Sequence, residues 1–81
     1  MPQLQILLFA SYADAFGSGT VTVSVPDLAT VADVVVALRS LPGGGVLPDS
    51  PLVAVDRRYR PGAVAVLAGQ EIAVIPPVAG G

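Results

Sequence analysis

The chain has 81 residues, of which 53% are hydrophobic and 12% charged, and its net charge is −2. This composition predicts one folded domain with a packed core. Cysteine and histidine are absent, which excludes disulfides, cysteine-held iron–sulfur clusters and catalysis by either side chain, and we expect no metal site. The acidic balance argues against nucleic acid as a partner. No apolar run approaches the roughly 18 residues of a membrane span, and the N-terminus lacks a signal peptide's basic region, so we expect a cytoplasmic protein without membrane contact.

The first 25 residues predict two β-strands. Residues 4–9 alternate with period two, so that one face is apolar and the other is only partly polar. Residues 20–25 alternate valine with threonine or serine, as in an antiparallel strand with one face in water. Residues 10–16 predict a short helix or turn, in which Tyr12 and Phe16 pack back on the core.

One main helix is predicted next. Thr30 and Asp33 have the spacing of a capping box, with aspartate in place of the usual glutamate. Behind them, valine and leucine recur at helical spacing as far as Leu41 and form one apolar stripe. Pro42 and the three glycines after it end the helix.

The remaining segments complete an α+β fold. Residues 52–55 predict a third strand, residues 56–59 its turn, residues 63–67 a weak strand or an extended segment, and residues 71–75 the final strand. A hairpin, one crossover helix and returning strands predict a ubiquitin-like β-grasp over residues 1–75, with a mixed sheet of four or five strands packed on one main helix. A right-handed crossover places the last strand parallel to the first at the centre of the sheet.

The outer face of the two central strands is predicted to be apolar, because it carries Leu7, Phe9, Ala73 and Ile75. A sheet face in contact with water is not expected to be this apolar, so we predict that a partner protein covers it. Surface apolar residues that are merely scattered are the alternative.

Six residues follow the last strand without a polar linker: Pro76, Pro77, Val78, Ala79, Gly80 and Gly81. The prolines restrict φ and favour an extended chain, and the glycines have no Cβ. Val78 is a single apolar anchor between the two prolines, which restrict the backbone, and the two glycines, which have no side chain. The stretch therefore predicts a thin tail that can carry the Gly81 carboxylate into a narrow channel of another protein. A frayed end rich in small residues is the alternative.

Three stretches of the chain resemble the small subunit of molybdopterin synthase, also called molybdopterin-converting factor subunit 1: Leu4–Ala10, Leu52–Tyr59 and Ala68–Gly81. The Pro-Pro-Val-x-Gly-Gly ending is the most diagnostic, since the related thiamin sulfur carriers share the fold and Gly-Gly but usually lack the prolines. Two turns depart from the family pattern. Ala-Gly-Gln-Glu at 68–71 stands where the family often has Asp-Gly-Asp-Glu, and Val-Asp at 55–56 stands where it often has Val-Asn.

The resemblance implies a sulfur-carrying cycle at Gly81. An E1-like activating enzyme uses ATP to adenylate the Gly81 carboxylate, and a sulfur donor protein converts the adenylate to a thiocarboxylate. The large subunit of the synthase then uses that sulfur to build the dithiolene of molybdopterin. The resemblance implies no stably bound cofactor, and it places the catalytic side chains in the partner proteins.

Three other functions remain open from the sequence. The chain could carry sulfur for thiamin or cysteine synthesis, or it could be a ubiquitin-like modifier joined to proteins through Gly81. It could also be a β-grasp binding module with an inert tail. An enzyme that acts alone is not predicted, because the carboxylates and tyrosines form no convincing catalytic group.

Overall fold

Five strands form one mixed sheet in the computed structural model, which describes residues 2–77. The strands follow the order β2-β1-β5-β3-β4, in which β5 is parallel to β1 and antiparallel to β3. This topology confirms the predicted β-grasp, with the last strand beside the first at the centre. The elements are β1 (Gln3–Leu8), α1 (Ala10–Phe16), β2 (Thr20–Ser24), α2 (Val31–Arg39), a 3-10 helix (Gly44–Val46), β3 (Leu52–Val55), β4 (Arg58–Tyr59) and β5 (Ile72–Ile75).

The core lies between the sheet and α2. Leu4, Ile6 and Leu8 of β1 are buried, as their alternation predicts. Each fully buried aliphatic side chain contributes about 1.5–3 kcal/mol. This burial stabilises α2, because valine has only modest helix propensity. The buried stripe of α2 consists of Val31, Val34, Val35 and Leu38.

The predicted capping box is present at the start of α2. The Thr30 hydroxyl accepts from Asp33 N at 3.4 Å, and Asp33 Oδ2 accepts from Thr30 N at 2.9 Å. Aspartate therefore closes the box in place of glutamate. The helix ends at Arg39, two residues before the predicted end of the apolar stripe, and Leu41 still packs against the core.

The predicted turn at residues 56–59 is wrong in its second half. Only Asp56 and Arg57 form the turn, and both have positive φ, 51° and 70°. Arg58 and Tyr59 form β4, which pairs antiparallel with β3. A two-residue turn with both φ values positive matches the twist of a hairpin, but Asn-Gly is its usual sequence. Asp-Arg is not a recognised signal for this turn, so the sequence did not reveal β4.

The prediction of a weak strand or an extended segment at residues 63–67 is wrong in its first part, because Ala63 and Val64 complete a turn that begins at Pro61 and is closed by the hydrogen bond from Val64 N to Pro61 O at 3.1 Å. The rest of the segment does not join the sheet as a strand. Ala65 forms one isolated bridge with Thr30, and Val66 N donates to Ala29 O at 2.9 Å. The segment therefore pairs with the residues that lead into α2. Val66 is buried and adds to the core.

Candidate functional site

The predicted tail leaves the sheet from its central strand. β5 lies between β1 and β3, and its side chains Ile72 and Val74 are fully buried. Pro76 is half-buried and Pro77 is exposed, so the chain emerges from the core directly after Ile75. The predictions made for the rest of the tail lie outside the described residues: Val78, Ala79, Gly80 and Gly81.

Large apolar side chains flank the point where the tail emerges. β1 and β5 run in the same direction with Leu8 opposite Val74, so the next residue, Phe9, is level with Ile75. β3 runs in the opposite direction and places its first residue, Leu52, opposite Ile75. Phe9 is 48% exposed and Leu52 is 47% exposed. An extended tail that starts here therefore begins beside apolar surface on both neighbouring strands.

A shallow trough crosses the outer face of the sheet. Strand register places Leu7, Ala73, Ala54 and Tyr59 in one row across four strands. Ala73 and Ala54 are only 6% and 7% exposed, yet neither belongs to the core cluster on the helix side. Their neighbours on the outer face must therefore cover them. The two alanines form the floor of the trough, and the larger side chains at the ends of the row form its walls.

Together these residues form what we call the outer patch. It stops at β1, where the outward side chains change from Gln3 and Gln5 to Leu7. The outward residues of β2 are threonine and serine, and they are exposed. An apolar centre with a polar rim is the usual anatomy of a docking surface. The outer patch consists of Leu7, Phe9, Leu52, Ala54, Tyr59, Ala73 and Ile75.

The structure brings the four predicted partner-facing residues together, with two differences. Phe9 lies just outside β1, at the N-terminus of α1, although its extended backbone keeps it on the outer face. Ala73 is buried and offers little surface of its own, so it shapes the trough rather than filling a partner's pocket. Leu7 and Ile75 are half-buried. Whether a partner contacts these residues stays a prediction.

Two large members of the outer patch were not predicted from the sequence: Leu52 and Tyr59. Leu52 could have been found, because Val53 and Val55 face the core and alternation then turns Leu52 outward. Tyr59 could not, because its position depends on the unrecognised turn before β4.

Three kinds of feature are absent from the described part of the chain. Within residues 2–77, no three His, Cys, Asp or Glu side chains are placed to hold a metal ion, and no buried side chain is polar or charged. None of the helices in this range has the length and apolar character needed to cross a bilayer. The outer patch and the start of the tail form the candidate functional site of the described residues.

Comparison with known proteins assigns the family. The profile of the ThiS family matches residues 6–81. The chain belongs to the ThiS family. This ThiS-family chain is a ubiquitin-like sulfur-carrier protein, in agreement with its β-grasp fold. No functionally curated protein matches it.

Solved structures with the same fold come from archaea and bacteria. SAMP1 from Haloferax volcanii is 34% identical to this ThiS-family chain over 99% of its length and 100% of SAMP1, with a TM-score of 0.82. A Pyrococcus furiosus protein described as molybdopterin converting factor, subunit 1, is 20% identical over 96% of this chain and 100% of that one, with a TM-score of 0.81. In a complex of subunits 1 and 2 of molybdopterin-converting factor from Helicobacter pylori, the matching chain is 14% identical over 99% of this chain and 100% of that one, with a TM-score of 0.70. The last two likenesses show the fold alone.

Proposed function

We propose that this chain carries sulfur on Gly81 for molybdopterin synthesis, as the small subunit of a molybdopterin synthase. An E1-like enzyme joins the Gly81 carboxylate to the AMP part of ATP and releases pyrophosphate. A sulfur donor protein then delivers sulfur at the oxidation level of sulfide, AMP leaves, and Gly81 becomes a thiocarboxylate. Transfer of that sulfur to the pterin precursor breaks the bond between the acyl carbon and sulfur, and water supplies the oxygen that returns Gly81 to the carboxylate. A dithiolene contains two sulfur atoms, so each product consumes two loaded chains.

The observation that carries the proposal is the position of β5. The tail begins at the central strand, and Phe9 and Leu52 stand exposed on either side of Ile75, the residue just before the tail. A protein that docks on the outer patch therefore receives the tail at the same place. Pro76 and Pro77 reduce the conformational freedom that the tail loses when it enters a channel. Gly80 and Gly81 leave the acyl carbon unhindered.

One observation favours molybdopterin synthesis over thiamin or cysteine synthesis: the Pro76-Pro77 pair stands before the Gly-Gly ending, and the thiamin sulfur carriers usually lack these prolines. The Helicobacter pylori complex of subunits 1 and 2 of molybdopterin-converting factor is an example of a chain with this fold in a complex with such a partner. We propose an equivalent large subunit as the partner that covers the outer patch. The E1-like enzyme would use the same surface at a different stage of the cycle.

The first test is the intact mass of the protein after incubation with ATP, a cognate E1-like enzyme and a sulfur source. We expect one oxygen to be replaced by sulfur, with the change located at Gly81. A variant that lacks Gly80 and Gly81 is the control and should remain unmodified. The loaded protein is then mixed with the large subunit and the pterin precursor, and in a parallel reaction with the thiazole-forming enzyme of thiamin synthesis. We expect dithiolene in the first reaction and no transfer in the second.

The two steps separate two kinds of failure. An unchanged mass, with an activating enzyme that loads its own carrier, would contradict the sulfur-carrier cycle itself. Loading at Gly81 followed by transfer only to the thiamin enzyme would contradict the molybdopterin assignment and leave the carrier chemistry intact.

Protein modification is the second candidate, and the identity to SAMP1 favours it. SAMP1 is the small archaeal modifier protein 1 of Haloferax volcanii. Here Gly81 would form an isopeptide bond with a lysine of a target protein. This chain contains no lysine, so it offers no ε-amino group to a second copy. We therefore expect adducts that carry one modifier per target lysine, measured by mass spectrometry of an extract. Their absence in an extract where the Gly81 adenylate forms would contradict this second function.

A further inference from the structure

A second apolar surface lies on the helix side of the sheet. It is an open cleft of about 620 Å³ between α2 and the β3–β4 edge. Val35 and Val36 line one wall, and Pro51 and Pro61 line the other. The cleft meets the outer patch only at Leu52 and Tyr59, which line both. Its size falls within the range of pockets that bind ligands.

The α2 wall of the cleft carries apolar side chains that no other part of residues 2–77 covers. Val36 is 65% exposed, although it lies in the middle of a nine-residue helix whose other valines are buried. Ala32 lies one turn earlier on the same side of α2 and is also exposed. The solvent-facing side of a helix usually carries charged or polar side chains. The two exposed side chains continue the apolar surface of the cleft.

Positive charge is concentrated around this cleft. Arg39 and Arg60 line it, and Asp49 is the one acidic residue among the lining residues. Asp49 pairs with Arg39 at 2.7 Å, whereas Arg60 has no ion-pair partner within residues 2–77. The cleft is therefore positive in a chain whose net charge is −2.

The strand beside the cleft has an open edge. β4 is the last strand in the sheet order and pairs only with β3 in the described chain. The backbone N–H and C=O groups on its other side can pair with an extended peptide. Such pairing selects an extended segment over a helix.

We propose that this cleft binds an extended segment of a partner protein in which apolar residues stand next to aspartate or glutamate. The apolar side chains contact Val36 and the prolines of the opposite wall, and the carboxylate pairs with Arg60. Basic segments are disfavoured, because Arg60, which has no acidic partner within residues 2–77, would repel them. The cleft lies on the helix side and shares only Leu52 and Tyr59 with the outer patch, so the proposal does not rest on the tail or on the proposed sulfur chemistry.

The test uses a displayed library of random twelve-residue peptides selected on the full chain. We expect enriched peptides that combine apolar residues with Asp or Glu. Synthetic copies of these peptides should bind the wild-type protein at least fivefold more tightly than they bind the R60Q or V36D variant. The matched controls are R57Q, which changes an arginine of the same hairpin outside the cleft, and V46D, which changes an exposed valine of the 3-10 helix. Both controls should bind like the wild-type protein.

Circular dichroism and urea unfolding of each variant show whether it is folded. Selection that yields no peptide weakened by R60Q and V36D would overturn the proposal, as would peptides without acidic residues. A chain truncated after Pro77 tests a second occupant. Peptide binding that strengthens at least fivefold on truncation would show that the chain's own tail occupies the cleft, and would overturn the assignment to a partner segment. Unchanged binding supports that assignment.

Discussion

Asp56 and Glu71 are 15 residues apart in the sequence and are joined by two hydrogen bonds. Asp56 N donates to Glu71 O at 2.8 Å, and Glu71 N donates to Asp56 Oδ1 at 2.9 Å. Asp56 Oδ2 also accepts from Gln70 Nε2 at 3.2 Å. These contacts join the β3–β4 turn to the start of β5. They also connect the two turns at which the sequence departs from the family pattern, so the departures at residues 55–56 and 68–71 are in direct contact.

Replacing Asp56 should weaken the start of β5. We expect D56A to lower the free energy of unfolding by about 1–3 kcal/mol, because it removes two accepted hydrogen bonds and puts alanine at positive φ. D56N should cost less, since asparagine tolerates this φ and its Oδ1 can still accept from Glu71 N. Urea unfolding measures the difference. D49A is the control, because its exposed ion pair is worth at most about 1 kcal/mol. Equal losses for D56A and D49A would contradict the role of Asp56.

Leu28 is an unfavourable residue at its position. It is 91% exposed and has a φ of 60°, a value that costs a leucine about 1–2 kcal/mol relative to glycine. We expect L28N to raise the free energy of unfolding by about 0.5–1 kcal/mol, because asparagine tolerates this φ and little contact is lost. Thermal unfolding followed by circular dichroism measures the gain. L67N changes an exposed leucine without positive φ, and a similar gain there would show that reduced surface apolarity, not backbone conformation, is responsible.

Gly44 is confined by the end of α2. A Cβ on Gly44 would overlap Leu38 O and lie 2.7 Å from Arg39 Cα, and these backbone atoms cannot move without distorting the helix. We expect G44A to lower the free energy of unfolding by about 1–3 kcal/mol, as other overpacked sites do. A Cβ on the neighbouring Gly45 would meet nothing within 4 Å, so G45A should change stability little. Chemical denaturation gives the unfolding midpoint of each variant. Equal midpoints for G44A and G45A would rule out the predicted clash.

The outer patch can be tested apart from Gly81. F9D places a charge beside the start of the tail, on a side chain that is already half exposed, so the fold should survive. We expect the affinity for the large subunit of molybdopterin synthase to fall at least about tenfold, as for other central apolar contacts. Isothermal titration calorimetry measures it. L67D adds the same charge to an exposed leucine outside the patch and should bind normally. Equal affinities for the two variants would exclude Phe9 from the interface.

Several elements could be predicted from the sequence because their signal is local. Period-two alternation predicted β1 and β2, and the Thr30–Asp33 spacing predicted the start of α2 to the residue. β3 was predicted with its observed bounds at residues 52–55. The boundary between β4 and its turn was missed, since Asp-Arg adopts positive φ here only with help from Glu71 and Gln70 in a distant segment.

The candidate site likewise contains residues that could be placed from the sequence and residues that could not. Leu7, Phe9, Ala73 and Ile75 could be placed on one face because two central strands and their alternation suffice for that prediction. Leu52 and Tyr59 complete the outer patch only through the pairing of β3 with β5 and β4. The positive cleft was also beyond sequence reasoning, because Arg39 and Arg60 belong to different elements and meet only after α2 packs beside the β3–β4 edge.

The sequence by itself determined the β-grasp fold and the residues of β1, β2 and α2 that face the core, because these follow from periodicity and capping. The chemistry at Gly81 stays a prediction. Only the tertiary structure decided which surfaces surround the tail and where the arginines gather. Strand register sets which side chains share a row, and register is fixed by pairing between segments far apart in the chain. Surface function in this protein depends on that register.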